Sequence, residues 1–333
     1  MKTYTLAILG VTGAVGQEML RVLEERNFPI QKLVALASDR SAGGTVRFRG
    51  RDVPILAVSE AAFDGVDIVL GAAENDIALR WAPSIRAAGA VFIDNSSAFR
   101  MDPAVPLVVP ECNGSDVKHH QGIIANPNCT TAISLTAVQP LRSLGEIRSM
   151  VASSYQAVSG AGAAGPKELQ AQMAAYLQGE ELPRQVFAYP ILCNLIPQIG
   201  GEQEDGYTSE EMKLHYEGRK ILHLPQLNVS CTCVRVPVMR SHSVSLQITF
   251  DRPVEVAEAR QAIAQGQGCR LLDDLPAGIY PTPLASSDQD LVLVGRIRRD
   301  LTDPCSLNLW CCGDQLRKGA ATNAVQIAEL LMG

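Results

Sequence analysis

The chain has 333 residues, 47% of them hydrophobic and only 5% aromatic, a length that suits two domains, each with its own core. Its net charge of −6 and its scattered basic residues argue against nucleic acid as a partner. No apolar run approaches the ~20 residues that span a bilayer, and Met1-Lys2-Thr3-Tyr4 leads into a short strand rather than a cleavable signal, so a soluble, cytoplasmic protein without membrane partners is expected.

Taken in chain order, residues 5–9 are an apolar run that ends in a glycine turn, and Val15, Met19, Val22, Leu23 and Arg26 follow at helical spacing. Further buried strands are expected at 33–37, 66–70, 90–93 and 122–125. Alternating strands and helices predict an α/β fold with a Rossmann-type parallel sheet. After Cys129 the texture changes. A helix is expected over 130–138, stopped by Pro140. Segments 147–154, 228–236 and 243–250 alternate like half-covered strands, with helices between them at 166–178, 209–220 and 254–265. This part reads as an α+β catalytic and dimerisation domain on a mostly antiparallel sheet. The Ala-rich stretch 315–331 reads as an amphipathic helix that folds back onto the first domain. The expected division is therefore 1–128 with 315–333 for the cofactor, and 129–314 for catalysis and dimerisation.

The turn after the first strand reads Gly10-Val11-Thr12-Gly13-Ala14-Val15-Gly16. Glycines let the backbone approach a pyrophosphate, and the helix beyond offers N–H donors and the positive end of its dipole. Gly10, Thr12, Gly13, Val15 and Gly16 are the candidate phosphate contacts. The second strand ends in Ser38-Asp39-Arg40-Ser41, where an adenosine ribose would lie. An acid there suits the free hydroxyl of NAD, and an arginine suits the 2′-phosphate of NADP. Arg40 between Ser38 and Ser41 favours NADP, because a guanidinium pairs with phosphate through two bonds.

The nine cysteines are irregularly spaced, with no C-x-x-C and no zinc-type pattern, so no metal is expected. Most read as small core residues. Cys129 differs: Asn126-Pro127-Asn128-Cys129 follows a buried strand and opens a helix, where the N-terminal dipole favours a thiolate. Asn128 offers an amide near a developing oxyanion. Arg235 lies in the otherwise apolar Cys233-Val234-Arg235-Val236, where an unpaired charge is costly, and that marks anion recognition.

The blocks at 10–16, 38–43, 94–100, 109–113, 126–129, 154–162 and 318–329 together resemble the aspartate-β-semialdehyde dehydrogenase family over essentially the whole chain. The resemblance implies NADPH-dependent reductive dephosphorylation of L-aspartyl-4-phosphate to the 4-semialdehyde, a step of amino-acid biosynthesis. It implies Cys129 as the nucleophile that forms a thioester, Gln156 beside it, and His242 as the acid/base. Arg235 would clamp the substrate carboxylate, Arg100 and Lys213 would hold the phosphoryl group, and Glu210 would meet the ammonium. Gly160 and Gly162 would let backbone approach the nicotinamide, and Asn323 would bond its carboxamide. Ser241 stands where the family usually has glycine or alanine. A homodimer or homotetramer is implied. The competing readings are an N-acetyl-γ-glutamyl-phosphate reductase, which shares the thioester chemistry, and a catalytically silent paralogue.

Overall fold

Apolar strands alternating with amphipathic helices build the first of two units, Met1–Asn128 together with Gly319–Gly333. In the computed structural model, which describes residues 2–332, its strands are β1 (Tyr4–Leu9), β2 (Ile30–Ala37), β3 (Thr45–Phe48), β4 (Arg51–Ala57), β5 (Ile68–Gly71), β6 (Val91–Asp94) and β7 (Ile123–Ala125). They form one sheet in the order β3-β4-β2-β1-β5-β6-β7, parallel throughout except between β3 and β4. The central strands are apolar on both faces because both faces are covered: Leu6, Ala7, Ile8, Val69 and Leu70 are fully buried. Helix α1 (Ala14–Glu25) lays Met19, Val22 and Leu23 into a core shared with Phe28 and with Val325 of the C-terminal helix Thr322–Leu330. An ion pair of 2.6 Å between Arg26 and Glu329 joins those two helices. Helix α2 (Asn75–Ala87) and the short α3 (Pro110–Asn113) complete the unit. Chain connections leave β1 in opposite directions to β2 and β5, which is the switch point at which α/β sheets open a crevice.

The β3–β4 hairpin and α2 were not expected from the sequence. Arg49 and Gly50 close the hairpin with φ of 47° and 74°, the left-handed pair of a two-residue turn. Thr45–Phe48 alternates exposed and buried residues, but over four residues only.

The second unit, Cys129–Lys318, carries helices α4 (Cys129–Val138), α5 (Ala164–Gln178), α6 (Ser209–Leu222), α7 (Val256–Gln265) and α8 (Pro283–Ser286). Its strands are β8 (Ile147–Gln156), β9 (Asn228–Arg235), β10 (His242–Phe250), β11 (Cys269–Leu271), β12 (Val292–Arg299) and β13 (Ser306–Gly313), in the order β11-β12-β13-β10-β8-β9. The sheet is mixed. β10 pairs antiparallel with β8 and β13, and β13 with β12, while β9 and β11 join at the two edges in parallel. Residue parity then sorts its faces. Met150, Ala152, Ser154 and Gln156 of β8 are buried, whereas Val151 and Tyr155 are exposed. Helices α4 and α6 pack on the buried side. Strand β11 and the β12–β13 pair also escaped the sequence reading.

The C-terminal stretch is not one helix. A π-type turn, Arg317–Ala321, precedes the helix Thr322–Leu330. Asp314 accepts from the backbone N–H groups of Leu316 (2.9 Å) and Arg317 (3.2 Å), which caps the turn and leaves Gln315 outside it. Among the described residues no helix is long and apolar enough to cross a membrane.

Candidate active site

Three candidate residues come together through strand register alone. β8 and β9 run in parallel with Gln156 opposite Arg235. On the other side of β8, Ser243 faces Tyr155, so His242 stands one step further, level with Gln156. Gln156, Arg235 and His242 therefore lie side by side at one end of three adjacent strands, and all three are buried.

The backbone of Ala157, the residue that follows β8, ties the flanking pair. Its N–H donates to His242 Nδ1 at 3.1 Å, and its carbonyl accepts from Arg235 Nη1 at 2.7 Å. Because Nδ1 is an acceptor here, the single proton of a neutral imidazole sits on Nε2. Nε2 is buried and has no hydrogen-bond partner among the described residues. Burial, first, and the Arg235 charge, second, push the His242 pKa down to about 3, against a smaller upward pull from Glu210. The ring is thus a neutral N–H donor at working pH. Burial also lowers the pKa of Arg235, and Cys129, Glu210 and Cys233 pull it back up. The Nε and Nη2 groups of Arg235 donate to no described residue. The chain then turns through Val158–Ala161, and a Cβ on Gly160 would stand 2.7 Å from Arg235 Nη1 and 3.1 Å from His242 Cε1. Glycine keeps that space open.

Helix α6 supplies the acid. Thr208 and Glu211 form a reciprocal capping box at its start, and Glu211 Oε1 also accepts from the backbone of Cys233 at 2.9 Å, which anchors the helix to β9. The neighbouring Glu210 then reaches Gln156 Nε2 (3.1 Å) through one oxygen and Lys213 Nζ (2.8 Å) through the other. Gln156 Nε2 also donates to Thr130 Oγ1 at 2.9 Å, beside Cys129. Cys129 is the first residue of α4 and is half-buried, whereas Cys231, Cys233, Cys269, Cys311 and Cys312 are buried. Burial raises the thiols of Cys311 and Cys312, the latter to about 11.

Ser241 has φ 74°, the left-handed region that favours glycine, which accounts for the small residue usual at this point. Its N–H donates to Gln315 Oε1 at 2.7 Å, its hydroxyl pairs with Ser287 at 2.9 Å, and Gln315 Nε2 reaches Ser159. Those bonds hold the residue before His242 in place.

In the first unit, a cleft of about 440 Å³ is lined by Gly10, Thr12, Gly13, Ser38, Asp39 and Trp81, among others. Gly10 has φ 90°, and a Cβ there would stand 2.6 Å from Ala72 O. No side chain caps the start of α1 at Gly13, so glycine loop, bare helix start and cleft fit a dinucleotide. Val15 and Gly16 belong to α1 itself. Asp39 rather than Arg40 lines the cleft, while Arg40 is exposed on the following turn with no hydrogen bond or ion pair among the described residues. Arg100 is buried, its Nε and Nη2 donating to the carbonyls of Asn126 and Asn95, each at 2.9 Å. Asn323 is fully buried, and Nδ2 donates to Val108 O (2.9 Å) and Asn126 Oδ1 (2.7 Å). Both amide hydrogens are engaged within this unit. Asn128 is buried at the end of this unit, and Gly162 is exposed with φ 74°. The sequence reading missed Thr130, Ala157 and Gln315. A buried hydroxyl next to the nucleophile was a usable signal for the first; a backbone group carries none for the second.

Two family models match in succession: the NAD binding domain of semialdehyde dehydrogenases over residues 5–120 and the dimerisation domain of the same enzymes over 138–318. The class is thus a two-part semialdehyde dehydrogenase with a nucleotide-binding domain. The chain is 49% identical to the aspartate-semialdehyde dehydrogenase of Synechocystis sp. over 98% of its own length and 97% of that protein's. It matches aspartate semialdehyde dehydrogenase II of Vibrio cholerae, complexed with ASA, at a TM-score of 0.97 and 42% identity over 100% of this chain and 99% of the other. The Candida albicans enzyme with NADP gives a TM-score of 0.76 at 25% identity, with 99% of both chains covered. The chain belongs to the aspartate-semialdehyde dehydrogenase family, a family of oxidoreductases.

The depressed His242 pKa has a testable sign. An unfolded imidazole binds its proton near pH 6.5, the folded one only near 3. Between those values the unfolded chain carries the extra proton, so this residue contributes full stability above pH 6.5 and loses it as the pH falls. In urea unfolding from pH 7 to 4, the stability of the wild type relative to His242→Gln should fall by on the order of 1 kcal/mol per pH unit. Parallel curves would refute a buried neutral histidine.

Proposed function

We propose that this chain reduces L-aspartyl-4-phosphate to L-aspartate-4-semialdehyde with NADPH, through a thioester on Cys129. The observation that carries this reading is the array of Gln156, Arg235 and His242 across three strand ends, with Glu210 and the Cys129 helix beside it, in a chain of this family. The reduced nicotinamide, when bound, supplies the hydride.

The Cys129 thiolate attacks the acyl carbon, the C–S bond forms, and the C–O bond to phosphate breaks, releasing inorganic phosphate. When hydride reaches the thioester carbon, the carbonyl oxygen gains charge and accepts the hydrogen bond that His242 Nε2 donates. The carbonyl then re-forms as the C–S bond breaks, freeing the aldehyde and the thiolate. A neutral ring with its proton on Nε2 suits this role. The free donors of Arg235 suit the substrate carboxylate, and Glu210 suits the ammonium. Lys213, paired with Glu210, and Arg100 are assigned to the phosphoryl group, and Asn128 to the oxyanion, on family resemblance. Gly10, Thr12, Gly13, Val15 and Gly16 are assigned to the pyrophosphate, Ser38, Arg40 and Ser41 to the 2′-phosphate, and Gly160, Gly162 and Asn323 to the nicotinamide. The exposed sheet face with Val151 and Tyr155, the latter 5.4 Å from the ring of Trp310, is assigned to a homodimer contact.

Cys129→Ser should lose turnover of aspartate semialdehyde with phosphate and NADP while binding the nucleotide as before; substantial residual activity would exclude the covalent route. In the same assay, a preference of the wild type for N-acetylglutamate semialdehyde would overturn the substrate. Arg40→Ala should raise the KM for NADP roughly tenfold or more and leave that for NAD little changed; an equal effect on both would reassign the residue. Val151→Lys with Tyr155→Glu should shift sedimentation from dimer to monomer, and an unchanged dimer would move the contact elsewhere.

A further inference from the structure

Gln156 presents one nitrogen to three acceptors. Nε2 lies 2.9 Å from Thr130 Oγ1, 3.1 Å from Glu210 Oε1 and 3.3 Å from Ser154 Oγ. An ionised carboxylate only accepts, so the NH₂ end of the amide, not its oxygen, faces Glu210. The amide has two N–H bonds; Glu210 takes one, and Thr130, nearer than Ser154, takes the other. The side chain is 2% exposed and the Thr130 side chain equally so, which keeps water from substituting for either partner. No described residue donates to Gln156 Oε1.

We infer that Thr130 is a positioning residue for the reaction: with Glu210 it fixes which way the Gln156 amide points, leaving the carbonyl oxygen as the end that meets the substrate. Gln156 then recognises a hydrogen-bond donor, the substrate ammonium, and gives no hydrogen bond to an oxyanion, phosphate or carboxylate. The identity of that donor rests on the proposed function; the orientation of the amide does not. The bond between the Thr130 hydroxyl and Gln156 places the effect on substrate binding rather than on the thiol chemistry at its neighbour Cys129.

Thr130→Val keeps the shape of the side chain and removes the acceptor; Thr130→Ser keeps the acceptor. In the full-length enzyme, Thr130→Val should raise the KM for aspartate semialdehyde roughly five- to tenfold, the effect of one buried hydrogen bond. Its kcat should stay within about threefold and its KM for NADP should be unchanged, with Thr130→Ser close to wild type. Equal behaviour of the two variants, or a loss confined to kcat, would overturn the assignment. Should Thr130→Val fail to fold, Thr130→Ala removes the same acceptor without adding bulk. A readout without turnover separates this inference from the substrate assignment. The Gln156 side-chain amide protons, assigned by comparison with Gln156→Glu, should exchange slowly with solvent in the wild type and at least tenfold faster in Thr130→Val. Unchanged exchange would overturn the positioning role even if the substrate is right, and faster exchange would uphold it even if the wild type ignored aspartate semialdehyde.

Discussion

The backbone of Ala157 holds the two most demanding side chains of the second unit, one with its N–H and the other with its carbonyl. Its N–H faces His242 and its carbonyl faces Arg235, so an imidazole and a guanidinium that repel each other once both are charged are held by the backbone of one residue. Burial would be expensive for either as an isolated ion. The imidazole avoids that cost by remaining neutral, and its fixed tautomer follows from the donor it must accept. The guanidinium has no neutral alternative near working pH and depends on its surroundings: the Ala157 carbonyl, the carboxylate of Glu210, a thiolate at Cys129 and the Phe187 ring 5.9 Å away. Removing the Ala157 contact would disturb both at once, and no side-chain substitution can do that cleanly.

Glu210 is held by a different device. Its neighbour Glu211 serves the helix cap and the edge strand, bonding Thr208 and Cys233, and this frees Glu210 to face the opposite way, toward Gln156 and Lys213. Two adjacent acids on one helix thus do unlike work, one structural and one in the site. Lys213 is about a third exposed, so its ion pair with Glu210 is worth little as stability; its value lies in orienting the carboxylate.

Much of this was legible in the sequence, for reasons that differ by residue. The parallel sheet showed itself because strands buried on both faces must be continuously apolar, as 5–9 and 66–70 are. Arg235 stood out because a charge inside an apolar strand needs a reason. Cys129 stood out because a turn and a helix start converge on it. Glu210 did not: a Glu and a Lys three apart are usually a surface pair, and only family resemblance raised them further. The hairpin β3–β4 and the strands β12 and β13 were missed because strand form depends on packing against neighbours more than on the residues of the run itself. The end of the chain was misread as one helix because Asp314 caps a turn that Ala-rich composition conceals. Asn323 was read toward a ligand, yet its nitrogen is engaged by Val108 and Asn126, and such a commitment has no trace in a linear sequence.

The three strand ends also differ in hydrogen-bonding character, and that difference bears on the choice of substrate. Arg235 offers a cation with free donors, His242 a single neutral donor, and Gln156 an oxygen acceptor backed by the Glu210 carboxylate. A free α-amino acid presents the complement of this set: a carboxylate for the guanidinium, an ammonium for the amide oxygen and the acid, and a carbonyl oxygen for the imidazole N–H. N-acylation removes the positive charge and adds bulk, so the amide oxygen and the acid lose the ammonium that complements them. A site built to meet a hydrogen-bond donor discriminates more sharply against a ligand that lacks it than an apolar pocket does against a poor fit. The aspartyl substrate is therefore favoured over an N-acylated one by the hydrogen-bond polarity of residues within a single unit, on grounds separate from sequence identity.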